Sequence, residues 1–185
     1  MFEYIVLGMV LNEQRTGYDI KKEIDAGIGN FYRASYGSLY PALKKLTDKG
    51  YLTMNEQSHG SRVKKYYKAT DAGATEFLKW LSVSFDPNAD ATVSLAKIFF
   101  FGELPDDVRN KILGEYEFYI GQGLRRLREI EECHAHLIEN DRDYYEIATL
   151  YYGLLNTISS LRWIKHIKEK RPFSELLSNV CGDDA

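Results

Sequence analysis

Over residues 35–52 the apolar positions Leu39, Ala42, Leu43 and Leu46 recur at helical spacing, while Tyr40, Lys44, Lys45 and Asp48 fall on the other side. One face of this helix packs and the other is left to meet a partner. Lys49 in the last turn and Gly50 just past it mark the C-terminal stop. Pro41 predicts a start near Gly37 or Ser38, where a first-turn proline needs no amide partner.

The neighbouring pattern extends this helix into a motif. Phe2 to Leu11 is almost wholly apolar and too short to span a bilayer, which predicts a buried first helix with no targeting segment before it. Thr16, Gly17, Tyr18 and Asp19 open a second helix with a capping box; it buries Ile20 and Ile24 and ends in the glycine-bearing run 26–30. Beyond Gly50, residues 51–57 alternate loosely as a strand and 63–69, rich in Val and Tyr, read as a second, around the turn formers Ser58, His59, Gly60 and Ser61. Helix, helix, helix and hairpin is the order of a winged helix-turn-helix, followed by a fourth helix capped by Thr70.

A break at Phe85 to Ala91 precedes the next helical segment, and beyond Pro105, a helix start with Asp106 and Asp107, the chain turns to two long helices. Ile112, Tyr116, Ile120, Leu124, Leu127, Ile130, Leu137 and Ile138 form one stripe, reaching to about Asn140; Tyr144, Ala148, Tyr151, Leu155, Ile158, Leu161 and Ile164 form the next, ending before Pro172. Tyr145, Tyr152, Leu154 and Trp163 widen the apolar face beyond what one antiparallel neighbour needs, which argues for a partner subunit. The expected fold class is therefore mainly α with a small β-hairpin wing. A DNA-binding domain over 1–85 is followed by a helical dimerisation and effector domain over 92–175.

Charge sharpens the function. The whole chain of 185 residues carries −3, yet residues 33–68 hold eight Lys or Arg against Asp48 and Glu56, a local balance of +6. Positive charge is concentrated on the exposed helix and the wing, the footprint of a nucleic-acid reader. At 44% apolar the chain can bury a real core, and Cys133 and Cys181 have no short redox or zinc spacing, so a reducing cytoplasm is expected. Cys133, His134 and His136 do not make a metal site, because the two histidines lie about 200° apart on a helix and nothing completes a tetrahedral set. No nucleophile elbow, phosphate loop or H-E-x-x-H occurs, so neither an enzyme nor a cofactor is expected.

These residues resemble the PadR-type transcriptional regulators. The resemblance rests on G-Y-D-I-K-K-E-I at Gly17 to Ile24, F-Y-R-A-S-Y-G-S-L-Y-P-A-L-K-K-L at Phe31 to Leu46 and K-K-Y-Y-K-A-T-D-A-G at Lys64 to Gly73. V-S-L-A-K-I-F-F-F-G-E-L-P at Val93 to Pro105, with the long helices after it, is similar to the longer subfamily with the virulence activator α C-terminal domain. The resemblance implies a homodimeric winged-helix repressor that binds an inverted-repeat operator and is released by a small molecule. One position departs from the pattern: Ala69 stands where the family usually has a large aliphatic residue, leaving less packing at the base of the wing.

The residues expected to meet double-stranded operator DNA are Tyr18, Arg33, Ser35, Tyr36, Ser38, Tyr40, Lys44, Lys45, Arg62, Lys64, Lys65 and Lys68. Those expected to border an aromatic or phenolic effector are Phe99, Phe100, Tyr116, Tyr119, Tyr151, Tyr152, Arg162, Trp163 and His166. A transcriptional activator of the same fold, or a winged helix that binds a protein rather than DNA, would share most of this pattern; the +6 balance over 33–68 weighs against the second.

Overall fold

A computed structural model describes residues 1–59, 62–86, 91–134 and 138–178. They divide into two compact units, Met1–Arg109 and Asn110–Ala185, the division falling inside a helix. The first unit runs α1 (Phe2–Met9), β1 (Arg15–Thr16), α2 (Gly17–Gly27), α3 (Tyr36–Asp48), β2 (Leu52–His59), β3 (Arg62–Ala69), α4 (Asp71–Ser82) and α5 (Ala91–Phe99), then a 3-10 turn at Phe101–Glu103. The chain is mainly helical with a small antiparallel sheet, as the periodicity predicts.

Its core forms where the helical stripes converge. Ile5, Leu7, Ile20, Ile24, Leu39, Leu43 and Phe77 are fully buried, which fixes α1, α2, α3 and α4 around one apolar centre. Thr16 caps α2 in the expected box: the Asp19 amide donates to the Thr16 hydroxyl at 3.2 Å and the Thr16 amide to Asp19 Oδ2 at 3.2 Å. At the end of α3, Gly50 takes φ +73°, the left-handed conformation that a glycine adopts without a Cβ penalty.

Two local expectations are corrected. Helix α3 begins at Tyr36 rather than near Gly37 or Ser38, so Pro41 lies inside the helix and not in its first turn. The Ser35 hydroxyl accepts from the Ser38 amide and the Ser38 hydroxyl from the Ser35 amide, both at 3.2 Å. That reciprocal cap sets the start at Tyr36 despite Pro41, which has no amide to donate to the Gly37 carbonyl. The second concerns the sheet, which has three strands rather than two. Arg15 pairs with Tyr67 and Thr16 with Tyr66, so β3 is central in the order β1-β3-β2.

At the base of the wing, hydrogen bonds gather around half-buried Ala69. The Ala69 amide donates to Val10 O at 3.0 Å, the Thr70 amide to Tyr51 O at 3.0 Å and the Thr70 hydroxyl to Gly50 O at 2.7 Å. At the core, Phe100 meets Phe77 edge-on at 5.3 Å. Lys97 buries its ammonium beneath the Trp80 ring at 5.4 Å while donating to Val83 O at 2.6 Å. The break seen in the sequence from Phe85 onward thus lies within the first unit, with residues 87–90 outside the described set.

Helix α6 (Asp106–His134) enters the second unit, which continues with α7 (Asp141–Lys168) and α8 (Phe173–Ser178). Asn140 caps α7, accepting from the Arg142 and Asp143 amides at 2.9 and 3.2 Å. Within this unit Lys168 reaches from α7 to Glu117 of α6 at 2.9 Å, and Leu127 faces Gly153. Among the described residues no helix is long and apolar enough to cross a membrane.

Candidate nucleic-acid interface

Helix α3 has two faces because its residues alternate at helical spacing. Leu39, Ala42, Leu43 and Leu46 are buried, while Tyr36, Ser38, Tyr40, Lys44 and Lys45 are exposed. Tyr36 and Tyr40, one turn apart, stack with centroids 6.3 Å apart, and Lys21 of α2 places its ammonium 5.8 Å from the Tyr36 ring. Tyr18 projects from the start of α2 and is 64% exposed, so core packing is not what holds this group of tyrosines.

The start of α2, Tyr40 and the wing strand enclose a cleft of about 420 Å3, into which Lys64, Lys65 and Val63 contribute from β3. Tyr40 can lie this close to α2 because residue 17 has no side chain: a Cβ there would stand 3.1 Å from Tyr40 Cε1. Helix amides at the cleft carry the positive end of the α2 dipole, and Lys64 adds to it. The Asp19 carboxyl is held below its ordinary range, first by the Thr16 hydroxyl and then by the Thr16 amide, with Lys64 assisting. It therefore stays ionised as a cap.

The basic residues are not equivalent. Lys44 pairs with Asp48 on its own helix at 2.6 Å, and Lys65 with Glu56 across the hairpin at 3.6 Å. Lys45 turns to Glu3 of α1 at 2.5 Å, with Lys49 on the other oxygen of that carboxylate at 3.6 Å. These two lysines holding Glu3 lower its carboxyl, the bond from Lys45 being the largest cause. Arg33, Lys64 and Lys68 are exposed, Arg33 just before the α3 cap and the lysines on the wing. The Ser35 hydroxyl is engaged in the cap. Arg62 opens β3, but its side chain and that of His59 lie outside the described residues.

The expected effector residues fall into both units. Phe99, half exposed, and Phe100, buried, belong to the first; Tyr116, Tyr119, Tyr151, Tyr152, Arg162, Trp163 and His166 belong to the second. Tyr151 bonds to Glu131, which raises its phenol and helps lower that carboxyl after Arg128. His166 is buried, with Nε2 3.0 Å from Pro172 O and its ring 5.8 Å from Phe173, so it closes the turn between α7 and α8. Among the described residues no group of side chains could hold a metal; Cys133 is exposed, and His136 and Cys181 lie outside that set.

Sequence reasoning missed β1, Gly17, Lys21 and Glu3. Lys21 lies one turn from Gly17 and Tyr18 and was open to discovery by helical spacing; the other three depend on contacts distant in sequence.

Residues 6–79 match the transcriptional regulator PadR-like family. Over this N-terminal segment the chain is similar to the PadR-like family. Among its relatives, the negative transcriptional regulator PadR of Bacillus subtilis is 37% identical over 82 residues, 44% of this chain and 45% of that one. The probable transcriptional regulator Rv1176c of Mycobacterium tuberculosis is 24% identical over 85 residues, 45% of each chain. The matched part thus spans less than half the length of these curated PadR-like relatives. Solved structures similar over most of the chain include B. subtilis PadR in complex with operator DNA, at 24% identity, 91% and 98% coverage and a TM-score of 0.46. The smu.1604c protein of Streptococcus mutans UA159 is 25% identical, with 89% and 96% coverage and a TM-score of 0.44. The relatives named for a function are transcriptional regulators.

Proposed function

We propose that this protein is a cytoplasmic homodimeric repressor of the PadR family that binds an inverted-repeat operator and is released by a small aromatic effector. The observation that carries the DNA reading is one continuous exposed surface. It joins Tyr40 of α3 to Tyr18 at the α2 N-terminus and to Lys64 and Lys65 of the wing, and Tyr36, Lys44 and Lys68 are exposed on the same elements. In this reading α3 meets base edges in the major groove, while Tyr18, Arg33 and the wing lysines hold phosphates.

Dimerisation is supported by the second unit, where α7 leaves Tyr145 69%, Tyr152 71% and Leu155 65% exposed. Apolar side chains on this scale along one helix fit a second copy of the chain. Two linked heads bind far more tightly than one, since the second engages at high effective concentration. The aromatic surface of Tyr119, Tyr151, Tyr152 and Trp163 supports an aromatic effector in this second unit.

A salt-titrated mobility shift with DNA from the protein's own promoter tests this. Salt-sensitive binding with protection of two half-sites centred about 10 base pairs apart, or a multiple, is expected. Binding that ignores both sequence and salt would overturn it.

A further inference from the structure

One face of α2 carries Gly17, Lys21 and Asp25 at successive helical turns, and the exposed side of α3 carries Tyr36 and Tyr40 one turn apart. The two rows meet at two points. Gly17 seats the Tyr40 ring, and Lys21 places its ammonium 5.8 Å from the centre of the Tyr36 ring, while the two rings stack on each other at 6.3 Å. The pair is thereby held from α2 at both ends, although Tyr36 is 46% and Tyr40 52% exposed.

Lys21 differs from the other lysines of this surface. A lysine ordinarily keeps its head in water, yet the Lys21 side chain is only 15% exposed, against 76% for Lys44 and 57% for Lys65. Its charge is engaged twice, by the Asp25 carboxylate one turn on and by the Tyr36 ring. A phosphate would have to displace both and would meet the repulsion of Asp25 as well. Exposed tyrosines, by contrast, lose rotamer freedom when they are fixed against a partner, and that loss subtracts from affinity. A ring that is already held loses less.

We propose that Lys21 is a positioning residue for operator binding: it holds Tyr36, and through the stack Tyr40, in the orientation that meets DNA, and makes no phosphate contact of its own. Asp25 has a part in this, since its carboxylate fixes where the ammonium stands. The role rests on the operator reading, whereas the contact between Lys21 and Tyr36 exists in the free protein. Basic charge on this surface therefore divides into lysines that would meet the DNA backbone and one that arranges the aromatic side chains beside them.

The test compares the full chain with Lys21→Met, Lys21→Arg, Tyr36→Leu and the Lys21→Met, Tyr36→Leu double variant, circular dichroism confirming the fold of each. Lys21→Met keeps the apolar stem and removes the charge, so operator affinity should fall about two- to five-fold while the log-log salt slope stays close to that of the wild type. Lys21→Arg should restore affinity, because a guanidinium also stacks on a ring. Once Tyr36 is replaced by Leu, Lys21→Met should cost nothing further. A slope shallower by about 0.9 in Lys21→Met would make Lys21 a phosphate contact and overturn the proposal. Unchanged affinity, a loss that Lys21→Arg does not restore, or additive losses in the double variant would overturn it equally. Without DNA, NMR of the tyrosine-labelled protein should show cross-peaks between the Lys21 ε-methylene and the Tyr36 ring. Those between the Tyr36 and Tyr40 rings should weaken in Lys21→Met and persist in Lys21→Arg; cross-peaks indifferent to residue 21 would sink the positioning role. Failure of the wild-type protein itself to bind operator would instead reject the DNA reading and the role together, with the ring contact still visible by NMR.

Discussion

The Tyr40 ring rests on Gly17, one residue on α3 and the other at the first position of α2, with a Cβ at residue 17 placed 3.1 Å from Tyr40 Cε1. Alanine favours helix over glycine, so Gly17→Ala should leave thermal stability nearly unchanged, within about 1 kcal/mol, the two effects opposing one another. Tyr40 must shift by a few tenths of an ångström to make room. Operator affinity should then fall several-fold while the melting temperature holds. Equal losses in both measurements, or none in affinity, would count against a DNA role for Tyr40.

The salt dependence of operator binding should separate the lysines. Lys64→Ala and Lys68→Ala should each lower the log-log slope by about 0.9 and weaken every sequence alike. Lys45→Ala should change the slope less, because its ammonium is held 2.5 Å from Glu3. A Lys45→Ala slope as shallow as that of Lys64→Ala would show that the Glu3 pair opens on DNA.

That same pair predicts a pH effect. Glu3 is held below its ordinary carboxyl range by the bond from Lys45, so its contribution to folding is present above the unfolded value, near 4.5, and lost as pH falls through the lower folded value. Glu3→Gln should thus lower the melting temperature slightly at pH 7 and leave it unchanged near pH 2, since an exposed pair contributes at most about 1 kcal/mol. A difference that persists undiminished at pH 2 would assign the effect to packing.

Lys97 works in the opposite sense. Burial lowers its ammonium from the ordinary value of 10.5, so the neutral form suits the fold. The stabilisation it can offer is present above 10.5 and lost as pH falls through the lower folded value, which leaves a cost at neutral pH. Lys97→Met should raise stability at pH 7, by about 1–3 kcal/mol, and the gain should shrink above pH 10. Destabilisation at pH 7 would mean that the bond to Val83 O and the stack beneath Trp80 outweigh the burial of charge.

Sedimentation equilibrium should detect the role of α7. Leu155→Glu, at a position 65% exposed, should leave the single chain folded and shift the proposed dimer toward monomer by ten-fold or more, for about 2 kcal/mol lost on burying a charge. An unaltered association constant would place the dimer seam elsewhere.

Much of this arrangement was legible because it is local. The capping box at Thr16 and Asp19, the glycine stop at Gly50 and the Val- and Tyr-rich run of 63–69 are properties of neighbouring residues. Pro41 taken alone predicts too late a start for α3, because the reciprocal bonds of Ser35 and Ser38, equally local, set it at Tyr36. The rest depends on distant partners. A two-residue strand shows no alternation, Lys45 and Glu3 are 42 positions apart, and nothing in the composition around Phe85 indicates that Phe100 packs on Phe77.

The short β1 strand has a consequence for how the chain is made. Arg15 finds its place only when Tyr67 exists to receive it, so the sheet closes a loop of roughly fifty residues late in the folding of this unit. During synthesis α1, α2 and α3 can gather while the hairpin is still unmade, but the groove-facing cleft cannot. The surface that would hold DNA is therefore among the last things to form, and a chain cut short before residue 69 presents helices without a wing to hold beside them.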